Sequence, residues 1–150
     1  MSTNNKFSKI MVAIDGSDVS MKASDVAITI AKKHGAKLFA VTALNVPYGG
    51  LYMTEEGEYY KYVKKRAREE AEKWFDAIKQ KAKETNLKMQ TEIIAPIPNV
   101  VGSLVNYAAH NKIDLVLVGS TGKTGFKRML LGSVASGMVT YSTCPVMVIK

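Results

Sequence analysis

Residues 113–133 run IDLVLVGSTGKTGFKRMLLGS, an apolar stretch followed by glycines, hydroxyls and cations. Ile113–Val118 is apolar enough to be a strand in the middle of a sheet, buried on both faces. The segment after it has the composition of a phosphate-binding loop, and its kind can be tested by counting. A P-loop requires a glycine five residues ahead of its Gly-Lys-[Ser/Thr] triplet. Here the triplet is Gly122-Lys123-Thr124 and the required position is Leu117, inside the strand. The G-x-G-x-x-G dinucleotide fingerprint is missing as well, because the first strand closes in DGSD with a single glycine.

The spacing is instead Gly119, two residues, Gly122, nine residues, then Gly132-Ser133. Gly119 ends a strand, where a missing side chain lets a ligand approach the main chain. Gly122 allows a turn with its N–H groups facing inward. Gly132 and Ser133 open a helix whose first N–H groups lack internal partners and attract anions. The alternative is a plain glycine-rich connection between a strand and a helix. Position favours the anion site, since ligands of open α/β sheets bind beyond the carboxyl ends of the strands, where strand order reverses. If the first and fourth strands are neighbours, Asp15 and Gly119 face one crevice.

Outward from this stretch, strands and helices alternate. KFSKIMVAID is a short buried strand closed by the DGSD turn. Val19, Ala23, Val26, Ala27 and Ile30 follow at helical spacing, with Ser17 or Asp18 placed to cap the start and Gly35 to end the helix. KLFAVTALNV is a second strand. Ala67, Ala71, Trp74, Phe75, Ile78 and Ala82 mark a long amphipathic helix. KMQTEIIA is a third strand, and Val101, Leu104, Val105 and Ala108 give a further helix. SVASGMVTYS is a short helix with Val134, Met138 and Tyr141 on one face, and PVMVIK is a last strand. Such alternation predicts a parallel α/β sheet with right-handed crossovers. The longest irregular segment, about Asn45 to Thr54, is a lid or interface candidate.

Composition bounds the partners. A chain of 150 residues fits one domain over 1–150. One cysteine, Cys144, rules out an internal disulfide and a multi-cysteine metal site. The N-terminus does not have the pattern of a signal peptide, and no stretch approaches the roughly 20 apolar residues of a membrane helix. A soluble cytoplasmic protein is expected. The formal charge of +8 favours anionic partners. Tyr59, Tyr60 and Tyr62 beside Lys61, Lys64, Lys65, Arg66 and Arg68 suggest base stacking on nucleic acid. The competing reading, which we prefer on sequence alone, is a helix start that packs its tyrosines while Lys and Arg pair with the Glu residues that follow.

VAIDGS after the first strand, DLVLVGSTGKTGFKRMLLGSVA and the terminal CPVMVIK together resemble the universal stress protein family over essentially the whole chain. The unbroken G-x2-G-x9-G-[ST] spacing resembles its ATP-binding branch. The resemblance implies a Rossmann-like open parallel five-stranded sheet in order 3-2-1-4-5, with helices on both faces. It also implies a homodimer through the last strand. By position, Asp15 would hold the ribose and Ala43 would contact adenine through its main chain. Gly119, Gly122, Gly132, Ser133 and Val134 would surround ribose and phosphates, with Ser120 in the same loop. Ala13 and Val118 would line the base pocket. The chain departs from its relatives after the third strand, where they often carry glycine and it has Pro96.

From Leu115 to Lys150 there is no Asp, Glu or His. Phosphoryl transfer needs a positioned base or water-orienting group and a held metal. Asp15 is the one plausible carboxylate, and ribose would occupy it. The expectation is a nucleotide-binding, stress-response regulator with ATP as ligand and slow or no hydrolysis. Mg²⁺ would be bound through the phosphates, and AMP or a cyclic nucleotide is an alternative ligand. A weak ATPase or phosphotransferase, a nucleic-acid module and a dimeric scaffold are the rival readings. His34 and His110 are expected to be surface residues at helix ends, and Cys144 a small packed residue.

Overall fold

The computed structural model describes residues 6–44, 57–95, 99–122 and 131–150. In chain order the elements are β1 (Lys9–Ala13), α1 (Asp18–His34), β2 (Lys37–Ala43), α2 (Glu58–Glu84), β3 (Met89–Ile94), α3 (Val100–His110), β4 (Leu115–Gly119), α4 (Ser133–Tyr141) and β5 (Val146–Ile149). The five strands are all parallel, in the order β3-β2-β1-β4-β5. Strand order therefore reverses between β1 and β4, which pair Ile10 with Leu115 and Val12 with Leu117.

Period-two alternation along the three central strands builds two cores. Ile10 and Val12 of β1, Leu38 and Ala40 of β2, and Leu115 and Leu117 of β4 point to one side. There they meet Ala23, Ala27 and Ala31 of α1 and Phe75, Ile78 and Ala82 of α2. Met11, Phe39, Val41, Val116 and Val118 point to the other side, against Leu104 and Ala108 of α3 and Ala135 and Met138 of α4. Helices on both faces follow from strands that are apolar at every position.

The helix ends obey local chemistry. Ser17 caps α1 by accepting from the Ser20 N–H at 3.2 Å, and Asn99 caps α3 by accepting from the Gly102 N–H at 2.7 Å. Gly35 closes α1 at φ 65°, a conformation that costs other residues a steric penalty. His34 is half-buried, and its Nδ1 accepts from the Phe7 N–H at 3.0 Å, tying down the segment before β1. Asp114 does the same at the front of β4, accepting from the Ser8 and Lys9 N–H groups at 2.8 and 3.2 Å.

Two elements depart from expectation. α2 begins at Glu58, nine residues ahead of the periodic run that opens at Ala67, and its buried residues start only at Ala71. Tyr141 shares a face with Met138 by spacing, yet it is 67% exposed while Met138 is buried. It ends α4, ahead of β5, the edge strand among the described residues. Residues 45–54 and Pro96 lie outside the described residues.

Gly137 shows how closely α4 lies on α3. A Cβ there would come within 2.6 and 2.7 Å of the two methyls of Val101, a β-branched side chain with little freedom to turn away. Gly137→Ala adds about 1 kcal/mol of helix propensity but overpacks by about 1–3 kcal/mol. Urea denaturation is expected to show net destabilisation, reversed when Val101 is also changed to Ala.

Candidate functional site

The crevice beyond the carboxyl ends of β1 and β4 is built on the Asp15-Gly16-Ser17 turn. The Ile14 N–H donates to the Val41 carbonyl at 2.8 Å, and the Ile14 carbonyl accepts from the Thr42 hydroxyl at 2.9 Å. The last residue before Asp15 is thus fixed to β2. Asp15 Oδ1 then accepts from the Ser17 N–H at 2.9 Å and the Ser17 hydroxyl at 2.6 Å. Ser17 in turn caps α1, so the carboxylate orients the capping hydroxyl. The bland role of Asp15, holding a turn, occupies one carboxylate oxygen.

The other oxygen faces the glycine loop. A Cβ on Gly122 would stand 2.8 Å from Asp15 Oδ2, so the missing side chain is what allows the carboxylate to approach. Asp15 and the loop share one crevice, as their positions in the sequence suggest. The loop also closes on itself. The Gly132 N–H donates to the Ser120 carbonyl at 2.6 Å, bringing the two ends of the 119–133 segment together across the residues between them.

At that closure α4 begins. Gly132 is its N-cap, in ordinary extended backbone at φ −69°, and it supplies no side-chain cap. The first N–H groups of α4, from Ser133 onward, have no intrahelical acceptor by the geometry of a helix start. Such groups, with the helix dipole behind them, suit an anion. Ligand oxygens could accept from these N–H groups while Asp15 Oδ2 accepts from a hydroxyl. That donor set fits a ribose phosphate.

The remaining sequence-predicted residues divide. Ala13 and Ala43 are half-buried at the carboxyl ends of β1 and β2, on the crevice edge. Val118 is 1% exposed and packed in the α3–α4 core, so its side chain offers no surface to a ligand. Gly119 is required by helix packing. A Cβ there would lie 2.9 Å from a Val19 methyl and 3.2 Å from the Ser20 nitrogen, so it is α1 that comes close. Ser120 is buried and both its main-chain groups are committed, its N–H to the Ile149 carbonyl at 2.7 Å. Lys123, Thr124, Lys127 and Arg128 lie outside the described residues.

Sequence reasoning missed Ser20, Thr42 and the tertiary role of Trp74. Ser20 Oγ accepts from the Asp15 N–H at 3.4 Å and donates to the Ser17 carbonyl at 2.9 Å. The D-x-S-x-x-S spacing from Asp15 to Ser20 was the available signal. The Trp74 indole covers Gly16, which sits at φ 80°. Cys144 is packed, as expected. Burial first, then the Asp114 carboxylate, push its thiol pKa up, against a main-chain hydrogen bond that lowers it. The thiolate is therefore disfavoured.

Taken together, the order reversal, the carboxylate at the end of β1 and the uncapped helix start define a doubly wound sheet of the kind that takes ligands beyond its carboxyl edge. The chain belongs to the universal stress protein family, whose sequence profile matches residues 6–150. It is 37% identical over 147 residues to a universal stress protein of Methanocaldococcus jannaschii, covering 97% of this chain and 84% of that one. The structure of UspA from Lactobacillus plantarum superposes with a TM-score of 0.78 at 26% identity, over 97% of this chain and 99% of that one. A universal stress protein solved in complex with cAMP superposes with a TM-score of 0.63 at 26% identity, over 97% and 98% of the two chains.

Proposed function

We propose that this chain is an ATP-binding regulatory protein of the stress response, a single domain over 1–150 that holds its ligand with slow or no hydrolysis. The observation that carries the reading is the approach of Asp15 Oδ2 to Gly122 beside the uncapped start of α4. Asp15 accepts from a ribose hydroxyl, the Ser133 and Val134 N–H groups donate to phosphate oxygens, and the main chain near Ala43 and Ala13 meets the base. The universal stress protein solved in complex with cAMP supports an adenine nucleotide as the ligand. Mg²⁺ would be held through the phosphates. Slow turnover is supported by the absence of Asp, Glu and His from residues 115–150, which leaves no second carboxylate in the loop to orient water.

A homodimer through β5 belongs to the same reading. It is supported by the position of β5 at the sheet edge, by the exposure of Met147 within it and by the exposure of Val139 and Tyr141 on α4. The cytoplasm suits a protein of this kind, among whose described residues no helix is long and apolar enough to cross a membrane.

The test is nucleotide binding by the purified chain. ATP at about 100 times its Kd should stabilise the fold by about 2.7 kcal/mol. Heat-released nucleotide, separated by chromatography, should be an adenine nucleotide. Phosphate release should stay well below about 1 s⁻¹, the low end of ordinary enzyme turnover. No shift in melting temperature with ATP, AMP or cAMP would remove the proposal; turnover above that rate would replace it with an ATPase.

A further inference from the structure

We propose that the exposed start of α2 is a second binding surface, one that takes single-stranded nucleic acid. It does not depend on the nucleotide crevice. Trp74 lies against Gly16, at the carboxyl edge of the sheet, and no residue of α2 before Ala71 is buried. At 1.5 Å per residue, the thirteen residues before Ala71 make an arm of roughly 20 Å, half-buried along Tyr60, Val63 and Ala67 and exposed on its other faces.

The first eleven residues of this stretch are strongly cationic. From Glu58 to Arg68 there are five cations and one carboxylate, a net +4 out of the chain's +8. The acids come later in the helix, at Glu69, Glu70 and Glu72. This order is the weaker one for a helix, since Glu placed before Lys pairs better than Lys placed before Glu. It also sets like charges at i,i+4: Lys61 with Lys65, and Lys64 with Arg68. Helix stability does not account for such a pattern, whereas a polyanion laid along the arm would relieve it.

Lys65 pairs with Glu69 at 4.0 Å with both side chains exposed, a surface pair of little worth that leaves the lysine open to another anion. Tyr59 and Tyr62 do not pack inward; they are 62% and 56% exposed. The Arg66 guanidinium instead lies 5.8 Å from the centroid of the Tyr62 ring and donates to its hydroxyl at 3.2 Å. Tyr59, Tyr62 and Arg66 stand at i, i+3 and i+7, one stripe of the helix, with Lys65 beside it.

Charge would attract any polyanion. Exposed aromatic rings next to arginine select one whose units have flat faces, because bases stack on tyrosine and arginine whatever their sequence. An acidic protein surface would use the lysines and leave the rings idle.

The experiment is fluorescence anisotropy of a labelled dodecameric oligouridylate with the full chain, at salt from about 50 to about 200 mM, with saturating ATP present throughout. Binding should persist in ATP and weaken with salt, with a log–log slope of about −2 to −3 for three or four phosphate contacts at about 0.7 each. Tyr62→Ala should weaken binding by about 5-fold or more, as expected for one lost stacking contact. The double variant Lys61→Glu, Lys65→Glu should weaken it more than about 10-fold and flatten the slope. Both variants should melt close to the parent, since these residues are exposed.

Several results would overturn the proposal. They are no binding at the lowest salt, binding abolished by ATP, or Tyr62→Ala binding as the parent does. Displacement of the RNA by polyglutamate of equal charge at equal concentration would assign the arm to acidic proteins. A change of sedimentation mass in Tyr62→Ala would assign it to a second copy of the chain.

Discussion

Gly132→Asp is expected to abolish ATP binding while leaving the protein folded. The backbone at Gly132, φ −69° and ψ 166°, is open to any residue and is usual for an N-cap. A Cβ there would meet the Ser120 carbonyl oxygen at 3.2 Å and the Thr121 Cα at 3.4 Å, so these main-chain atoms must give by a few tenths of an ångström. Aspartate is also a good N-cap, able to accept from the Val134 or Ala135 N–H, and caps of this kind differ from glycine by only a few tenths of a kcal/mol. The unliganded fold should therefore change by less than about 1 kcal/mol.

Binding is another matter. The new carboxylate takes the donors that an anion would use and places a like charge against it. Hydrogen bonds to charged groups contribute about 1.5–3 kcal/mol each. Losing even one, with repulsion added, points to a fall in affinity of at least about 100-fold, or 2.7 kcal/mol. Titration calorimetry with ATP, beside a urea melt of the same sample, reads both quantities. Unchanged affinity in a folded variant would mean that α4 does not hold the ligand. Gly132→Ala separates the two causes: it adds bulk without charge and should lose less.

The second large effect concerns stability. Gly16→Ala should destabilise the fold by about 2–5 kcal/mol, combining about 1–2 for an alanine in left-handed backbone with about 1–3 for overpacking. Gly16 sits at φ 80°, and its Cβ would overlap the Trp74 indole. The two causes can be separated by a cycle with Trp74→Ala. If packing contributes, the double variant will be more stable than the sum of the single changes predicts, by about 0.5–3 kcal/mol. Additive losses would leave only the backbone term. A Gly16→Ala protein within about 0.5 kcal/mol of the parent, the range of a neutral surface change, would contradict the described turn.

How far the sequence announced all this depended on range. The features fixed by neighbours along the chain were legible. The Ser17 cap, the Gly35 stop and the two-sided apolar strands follow from local chemistry, and they were enough to define a parallel sheet. Strand order and the membership of Asp15 in the site came from family resemblance, because which strands lie side by side is not a local property.

Contacts across long separations were hidden. Gly16 looks like an ordinary turn glycine until the indole 58 residues later is laid upon it. Gly119 signals close approach, but only the folded chain shows α1 as the approaching partner. The apolar period does extend through Tyr60 and Val63 to Ala67, but these positions are only half-buried and stand among tyrosines and cations, so the pattern that announces the helix is clear only from Ala67 onward.

Ser120 has one more consequence. Its amide hydrogen is bonded to the tail of the chain at Ile149, and its carbonyl to the head of α4 at Gly132. A single peptide unit on either side of one residue thus couples the outermost strand to the mouth of the crevice. Pulling the end of β5 away must either snap a bond of about 1 kcal/mol or drag the loop along, so the rim of the sheet and the floor of the cleft behave as one mechanical part.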